Sequence, residues 1–272
     1  SNLIQLAGQE GTGRSSILRK IASDMARSKS TLVIPYVQDG SDLTEMEDAL
    51  QYFIINLDGE LPKDINAQSL AISFQEAVQK NALSDRKVFI LLDIHTETDN
   101  TSWIPDILTE NTVIMITTRV GGKVNCLLKK RKDSTEIVIK PLELKERTEI
   151  CREMLQRKGK TLVEDAFNNQ LLTLVGKREA GSPSYLVLAM DRIVKEANFE
   201  NLNSEIGRLG ITTMEILEQI LIKAETLFGE EIVRIIFLFI SQSTHGLSRT
   251  QIGRLVDIHY HFKESNIKHL SN

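Results

Sequence analysis

Near the N-terminus the apolar residues come in short runs. Leu3, Ile4 and Leu6 precede a glycine-rich stretch, and Thr31-Leu32-Val33-Ile34-Pro35-Tyr36-Val37 forms a second run of residues that suit a pleated surface. Between them Ser15-Ser16-Ile17-Leu18-Arg19-Lys20-Ile21-Ala22 predicts a helix over 15–26. Asp39-Gly40-Ser41-Asp42 reads as a turn and helix start, after which Leu43, Met46, Ala49, Leu50, Phe53 and Ile54 recur at helical spacing. Beyond Pro62, Leu70, Phe74, Ala77 and Val78 line one face of a further helix. The run 86–93 holds Val88 to Leu92 without a polar interruption, so it predicts a strand covered on both faces and closed by Asp93. Residues 112–119 predict another buried strand, which ends in Thr117, Thr118 and Arg119. A last strand over 136–140 stops at Pro141. Strands alternating with helices in this way predict an α/β fold with a mostly parallel sheet.

After Glu143 the pattern changes class. Helical periodicity dominates, with helices expected over 144–156, 164–175, 184–197, 213–227, 230–241 and 248–256. The expected organisation is an α/β domain over 1–142, an all-α helical domain over 143–208 and a winged-helix-like domain over 209–272. The last rests on an amphipathic helix, the turn His245-Gly246-Leu247-Ser248 and a second helix; the sequence need not contain this domain whole. Because the chain opens on its first strand and ends in polar residues 263–272, it reads as a piece of a larger polypeptide.

Composition narrows the classes. Of 272 residues, 41% are hydrophobic, enough for a real core, and the net charge of −4 gives no global case for nucleic acid. The basic run Lys129-Lys130-Arg131-Lys132 reads as a solvated helix end. Cys126 and Cys151 form no metal or redox spacing, which points to a reducing, intracellular setting, cytoplasmic or nuclear. No apolar run approaches the ~20 residues of a membrane span, so no membrane partner is expected. His259 and His261 stand close together with no Cys or carboxylate at ligand spacing, and they read as a solvated tail.

The glycine-rich stretch carries the candidate chemistry. From Gly8 to Ser15 it follows G-x-x-x-x-G-K-[ST], with Gln9, Glu10, Gly11, Thr12 and Gly13 between and Arg14 where the pattern has Lys. Glycines let successive N–H groups face one concavity, and the helix that follows adds the positive end of its dipole. That is a phosphate cradle, in which Ser15 is placed to put its hydroxyl on Mg²⁺ and Ser16 lies in the first helical turn. Arg14 keeps the charge but is planar and bulkier than an ammonium, so phosphate affinity is expected to survive better than hydrolysis. Asp93, at the C-terminal end of a central strand, is the candidate to hold the metal shell. Glu97 is a candidate to polarise water, although Thr96-Glu97-Thr98-Asp99 reads equally as plain loop. Arg119 is a candidate sensor of a terminal phosphate, or a surface residue starting the Gly121-Gly122 loop.

Together these residues resemble the STAND class of P-loop NTPases, the NACHT and NB-ARC group of signalling ATPases, including NACHT–WD-repeat proteins. The likeness spans Gly8–Ser15, Phe89–Asp93, Thr117-Thr118-Arg119, the helical region, and Gly181-Ser182-Pro183, which looks like that class's Gly-x-Pro motif. Ser102-Trp103-Ile104-Pro105 and the run 177–186 add to it. The resemblance implies an ATP/ADP-switched module with Mg²⁺, in which Pro183 packs near the nucleotide and exchange of ADP for ATP opens the module for self-association within a larger scaffold. Arg14, and Thr96 where a second Asp is common, depart from the class. They imply slow or absent hydrolysis, or a degenerate site in a nucleotide-independent scaffold.

Overall fold

The chain's architecture is seen in a computed structural model that describes residues 2–28, 30–37, 45–81, 86–93, 100–196, 200–243 and 246–270. Expectations that fall on Asp39–Leu43, Glu97 and His245 lie outside the described residues. By contacts the chain divides into two units, Ser1–Glu143 with Ser182–Ser184, and Leu144–Gly181 with Tyr185–Asn272.

The first unit is built on five parallel strands, β1 (Leu3–Gly8), β2 (Thr31–Val37), β3 (Lys87–Asp93), β4 (Thr112–Arg119) and β5 (Ser134–Val138). Their spatial order is β2-β3-β4-β1-β5. The period of two along a strand sorts the apolar residues between the two faces. Val88, Ile90, Leu92, Ile114 and Ile116 face one side, where they pack with α2 (Glu45–Asn56), α3 (Ala67–Asn81) and α4 (Lys123–Lys129). Phe89, Leu91 and Met115 face the other side and pack with Leu18, Ile21 and Ala22 of α1 (Arg14–Met25). Both faces are therefore covered, as the unbroken apolar run of β3 requires. The split follows from handedness. A right-handed crossover from β1 out to β2 puts α1 on one face, and the return through β3 and β4 to β5 puts the remaining helices on the other.

Trp103 and Ile104 are buried with Phe53 and Phe74 in the larger of these cores, so the Ser102–Pro105 segment is a packing element of the sheet's flank. β5 begins two residues before the expected 136–140 because its ladder with β1 runs from Leu3↔Ser134 to Ala7↔Val138.

The second unit is helical among its described residues, apart from an isolated bridge between Glu164 and Asn169. Its helices are α5 (Leu144–Gln156), α6 (Gln170–Val175), α7 (Pro183–Glu196, whose first two residues group with the first unit), α8 (Leu202–Arg208), α9 (Thr213–Phe228), α10 (Glu230–Gln242) and α11 (Arg249–Leu270). α6 is shorter than the expected 164–175. The bridge holds 164–169 as a loop, and Asn169 caps the helix by accepting the Leu172 N–H at 2.7 Å. α11 runs past the expected end at 256, since no glycine or proline follows Gly253 to stop it. Tyr185, Leu186, Ala189 and Met190 of α7 are buried, and the Tyr185 hydroxyl donates to the Gly210 carbonyl at 2.7 Å. No described helix is long and apolar enough to cross a membrane.

Candidate functional site

The glycine stretch lies where the sheet topology changes direction. Chain connections leave β1 toward β2 on one side and reach β5 on the other, so the switch point falls at the C-terminal ends of β1 and β4. Such switch points are where open α/β sheets hold ligands. Residues 9–13 form the loop between Gly8, the last residue of β1, and Arg14, the first of α1.

Two glycines give the loop its curl. Gly11 has φ 76° and Gly13 has φ 87°, both in the left-handed region that disfavours side chains. Thr12 folds back through its hydroxyl, which donates to the Gln9 carbonyl at 2.7 Å. Gly8 is confined by space instead, since a Cβ there would meet Thr12 Oγ1 at 2.5 Å and Arg14 Cγ at 3.2 Å. Gly13 N-caps α1 with no side-chain hydrogen bond. Among the described residues, the amides of Gly11, Gly13, Arg14, Ser15 and Ser16 donate to no protein acceptor. The first intrahelical bond is Ile17 N–H to the Gly13 carbonyl at 2.9 Å. The positive end of a twelve-residue helix and a row of uncommitted donors thus share one bend. This donor set fits an oxyanion cluster such as a polyphosphate.

The carbonyl side of the bend is tied down. Gly11 accepts from the Ser184 N–H at 3.2 Å and from the Ser182 hydroxyl at 3.2 Å, both within the first unit. Pro183 Cγ lies 3.9 Å from where a Cβ on Gly13 would sit. Pro183 and the glycines are therefore brought together.

Asp93 closes β3 and is 2% exposed. It pairs in register with Thr117 of β4, which in turn pairs with Leu6 of β1. Two strand spacings, about 10 Å, separate its backbone from the loop strand. Thr117 donates its hydroxyl to Asp93 Oδ1 at 2.6 Å, which fixes the carboxylate's rotamer. A carboxylate and the Ser15 hydroxyl are hard oxygen donors suited to Mg²⁺.

Arg119 pairs in register with Gly8, and the Val120 N–H reaches the Gly8 carbonyl at 3.4 Å. Its guanidinium is exposed and stands 3.8 Å from the Glu10 carboxylate. Arg14 is half-buried, with its stem over Gly8. Gln9 and Glu10 are exposed at the top of the loop.

Sequence reasoning missed a buried polar network behind the site. Asn125 of α4 is wholly buried and donates to Gln5 Oε1 at 3.1 Å and to Glu136 Oε1 at 2.8 Å, while its Oδ1 accepts the Gly121 N–H at 3.0 Å. Gln5 passes the network on to the Ser134 hydroxyl at 2.7 Å. The Asn125 hydrogen bond, and after it Lys129 at 3.0 Å, hold the Glu136 carboxyl below the ordinary glutamate range. The available signal was Gln5, a polar residue in the middle of an apolar strand.

Among the described residues no three or more His, Cys, Asp or Glu side chains gather as a metal cluster. Burial alone pushes the Cys151 thiol up to about 11, while Cys126 is exposed.

The fold is that of a P-loop NTPase, an α/β parallel sheet followed by helices. No protein-family model matches the chain. Telomerase protein component 1 of Mus musculus and of Rattus norvegicus are each 25% identical to it over 155 residues, covering 57% of this chain. The matched stretch is 6% of the length of these curated relatives. The structure of Drosophila ORC bound to DNA superposes with a TM-score of 0.51 at 13% identity, covering 76% of this chain and 61% of that one. This last likeness is one of fold.

Proposed function

We propose that the chain is an ATP/ADP-binding module of the NACHT type, similar to a region of telomerase protein component 1, and that it works as a nucleotide-dependent switch in a larger scaffold. The observation that carries this reading is the bend at 9–13 with the first turn of α1, where the amides of Gly11, Gly13, Arg14, Ser15 and Ser16 are uncommitted among the described residues, at the switch point of a parallel sheet. In this reading the backbone from Gly8 to Ser16 and the Arg14 guanidinium hold the phosphates. Ser15 and Asp93 hold Mg²⁺, which would neutralise phosphate charge there. Arg119 meets the terminal phosphate, Pro183 flanks the nucleotide and Glu97 orients water. Arg14 forks onto oxygens as a planar group where a compact ammonium is usual, so hydrolysis is slow or absent. The winged-helix-like reading of 209–272, the boundaries near 142 and 208, self-association and an intracellular location belong to the same proposal.

Calorimetry with ATP and with ADP, each with Mg²⁺, tests it. Binding of either supports the reading, and no binding at millimolar nucleotide overturns it. Arg14 also favours a second reading, a scaffold whose loop is degenerate. A melting temperature unmoved by ATP would support that alternative. Binding at a hundred times Kd would instead stabilise the fold by about 2.7 kcal/mol.

A further inference from the structure

At the rim of the candidate site one loop side chain carries a charge of the wrong sign for a phosphate cradle. Glu10 sits between Gly8 and Gly11, and its carboxylate Oε1 lies 3.8 Å from Arg119 Nη1. The backbones under this pair are held. Gly8 and Arg119 share a register position, and the Gly8 carbonyl accepts the Val120 N–H. Beyond Arg119, its carbonyl accepts the Gly122 N–H at 2.9 Å, and Asn125 accepts the Gly121 N–H at 3.0 Å. The Arg119 Cα is thus fixed from both sides, while its side chain is 56% exposed. Glu10 is 81% exposed.

We propose that Glu10 is a specificity-determining residue of the phosphate site, because its carboxylate competes with the terminal phosphate of a nucleoside triphosphate for Arg119. This inference rests on the nucleotide-binding reading above. An exposed ion pair is weak, so exchanging it is easy, whereas a buried pair would lock Arg119 away. A terminal phosphate carries more charge than a carboxylate and presents three acceptor oxygens to the guanidinium fork. A ligand one phosphate shorter brings less charge to the rim and leaves Arg119 with Glu10. The competing carboxylate therefore sets how strongly the third phosphate is felt.

The test measures ATP and ADP affinity, with Mg²⁺, for the 272-residue chain and for Glu10→Gln, Arg119→Ala and the double variant. Both positions are exposed, and matching melting temperatures would show that each variant folds. Glu10→Gln should tighten ATP about two- to fivefold, the range an exposed pair supports, and ADP by less. Arg119→Ala should narrow the difference between the nucleotides, and adding Glu10→Gln to it should bring no further gain. The single-variant gain should shrink in high salt. Equal tightening of ATP and ADP, a gain that persists without Arg119, or a gain indifferent to salt would each overturn the inference while leaving nucleotide binding intact. A wild type that binds neither nucleotide would overturn the site reading itself.

Discussion

Helices α3 and α10 are close in length and both carry apolar faces, yet the chain uses them differently. In α3, Leu70, Phe74, Ala77 and Val78 are all buried in the core that the sheet shares with α2 and Trp103, while Ile72 lies outside that stripe and is exposed. In α10 the apolar residues spread around much of the circumference, and only Val233 and Ile235 are buried, while Phe237, Leu238 and Ile240 are exposed. A stripe about 100° wide is what one packing surface needs. The α3 stripe is fitted to the core it covers, although apolar residues such as Ile55 and Ile107 are exposed elsewhere in the sheet unit. The helical unit carries more apolar surface than its described residues cover. Binary pattern alone reports that a helix forms, and it does not report whether the whole face finds a partner.

The contrast predicts unequal sensitivity to truncation. Phe74→Ala should lose about 3–5 kcal/mol, as buried phenylalanines do. Phe74 packs against Phe53 and Trp103, with ring centroids 5.9 Å apart in each pair. Trp103 is the chain's one tryptophan, so its fluorescence in urea follows this unit directly. Leu238→Ala, at 56% exposed, should stay within about 0.5 kcal/mol when helix ellipticity is followed. Similar losses at the two positions would break the comparison.

A second difference lies in how polar groups are buried. Asn125 bridges β1, the turn after β4, and β5 through hydrogen bonds to Gln5, Gly121 and Glu136. Asn125→Leu keeps the number and branching of side-chain heavy atoms but strands those partners, so a loss of about 1–3 kcal/mol is expected in urea unfolding. A neutral result would mean that the partners relax to water or to one another.

This network also marks the limit of what the sequence made legible. The strands of the sheet, α1 and α3 follow from runs and spacings, because burial on one or both faces forces those patterns. The bend at 9–13 is legible for the same kind of reason, since left-handed backbone at Gly11 and Gly13 demands glycine. The pairing of Thr117 with Asp93, and of Glu10 with Arg119, is not legible. Each joins residues distant in the chain through strand register, which no local pattern encodes. α8 was missed because seven residues are too few for periodicity to show. α4 was missed for the same reason, although the basic run at its end was read as a helix terminus.

Local capping gives the helical unit its own sharp features, and these sharpen the comparison at a smaller scale. Thr212 N-caps α9 by accepting the Glu215 N–H at 3.1 Å, and the Glu215 carboxylate accepts the Ile211 N–H at 2.7 Å. Thr212→Ala should cost about 1 kcal/mol, and Thr212→Gly only a few tenths. Thermal unfolding followed at 222 nm would check the ranking. If alanine and glycine behaved alike, the cap would not be the source of the loss.

The smallest effect concerns acid. Glu136 in the sheet unit and Glu164 in the helical unit both have carboxyls held below the ordinary glutamate range, Glu136 first by the Asn125 hydrogen bond and Glu164 first by that from Arg152. A depressed folded pKa means that the unfolded chain binds the proton first as pH falls. The stabilisation is therefore full above about pH 4.3, the unperturbed glutamate value, and is lost as pH drops through the lowered folded value. The two sites differ in what lowers them. Asn125 is a neutral, buried donor that salt does not screen, whereas the Arg152–Glu164 pair is exposed. Glu164→Gln should thus flatten the acid limb of stability only at low ionic strength, because exposed pairs fade within a Debye length of ~3 Å at 1 M salt. Glu136→Gln should flatten it at both ionic strengths. Urea midpoints at pH 7, 4 and 3, with and without 1 M salt, separate the two. A Glu136 effect that vanished in salt would shift its origin to Lys129, and the sheet unit's acid response would then be as superficial as that of the helical unit.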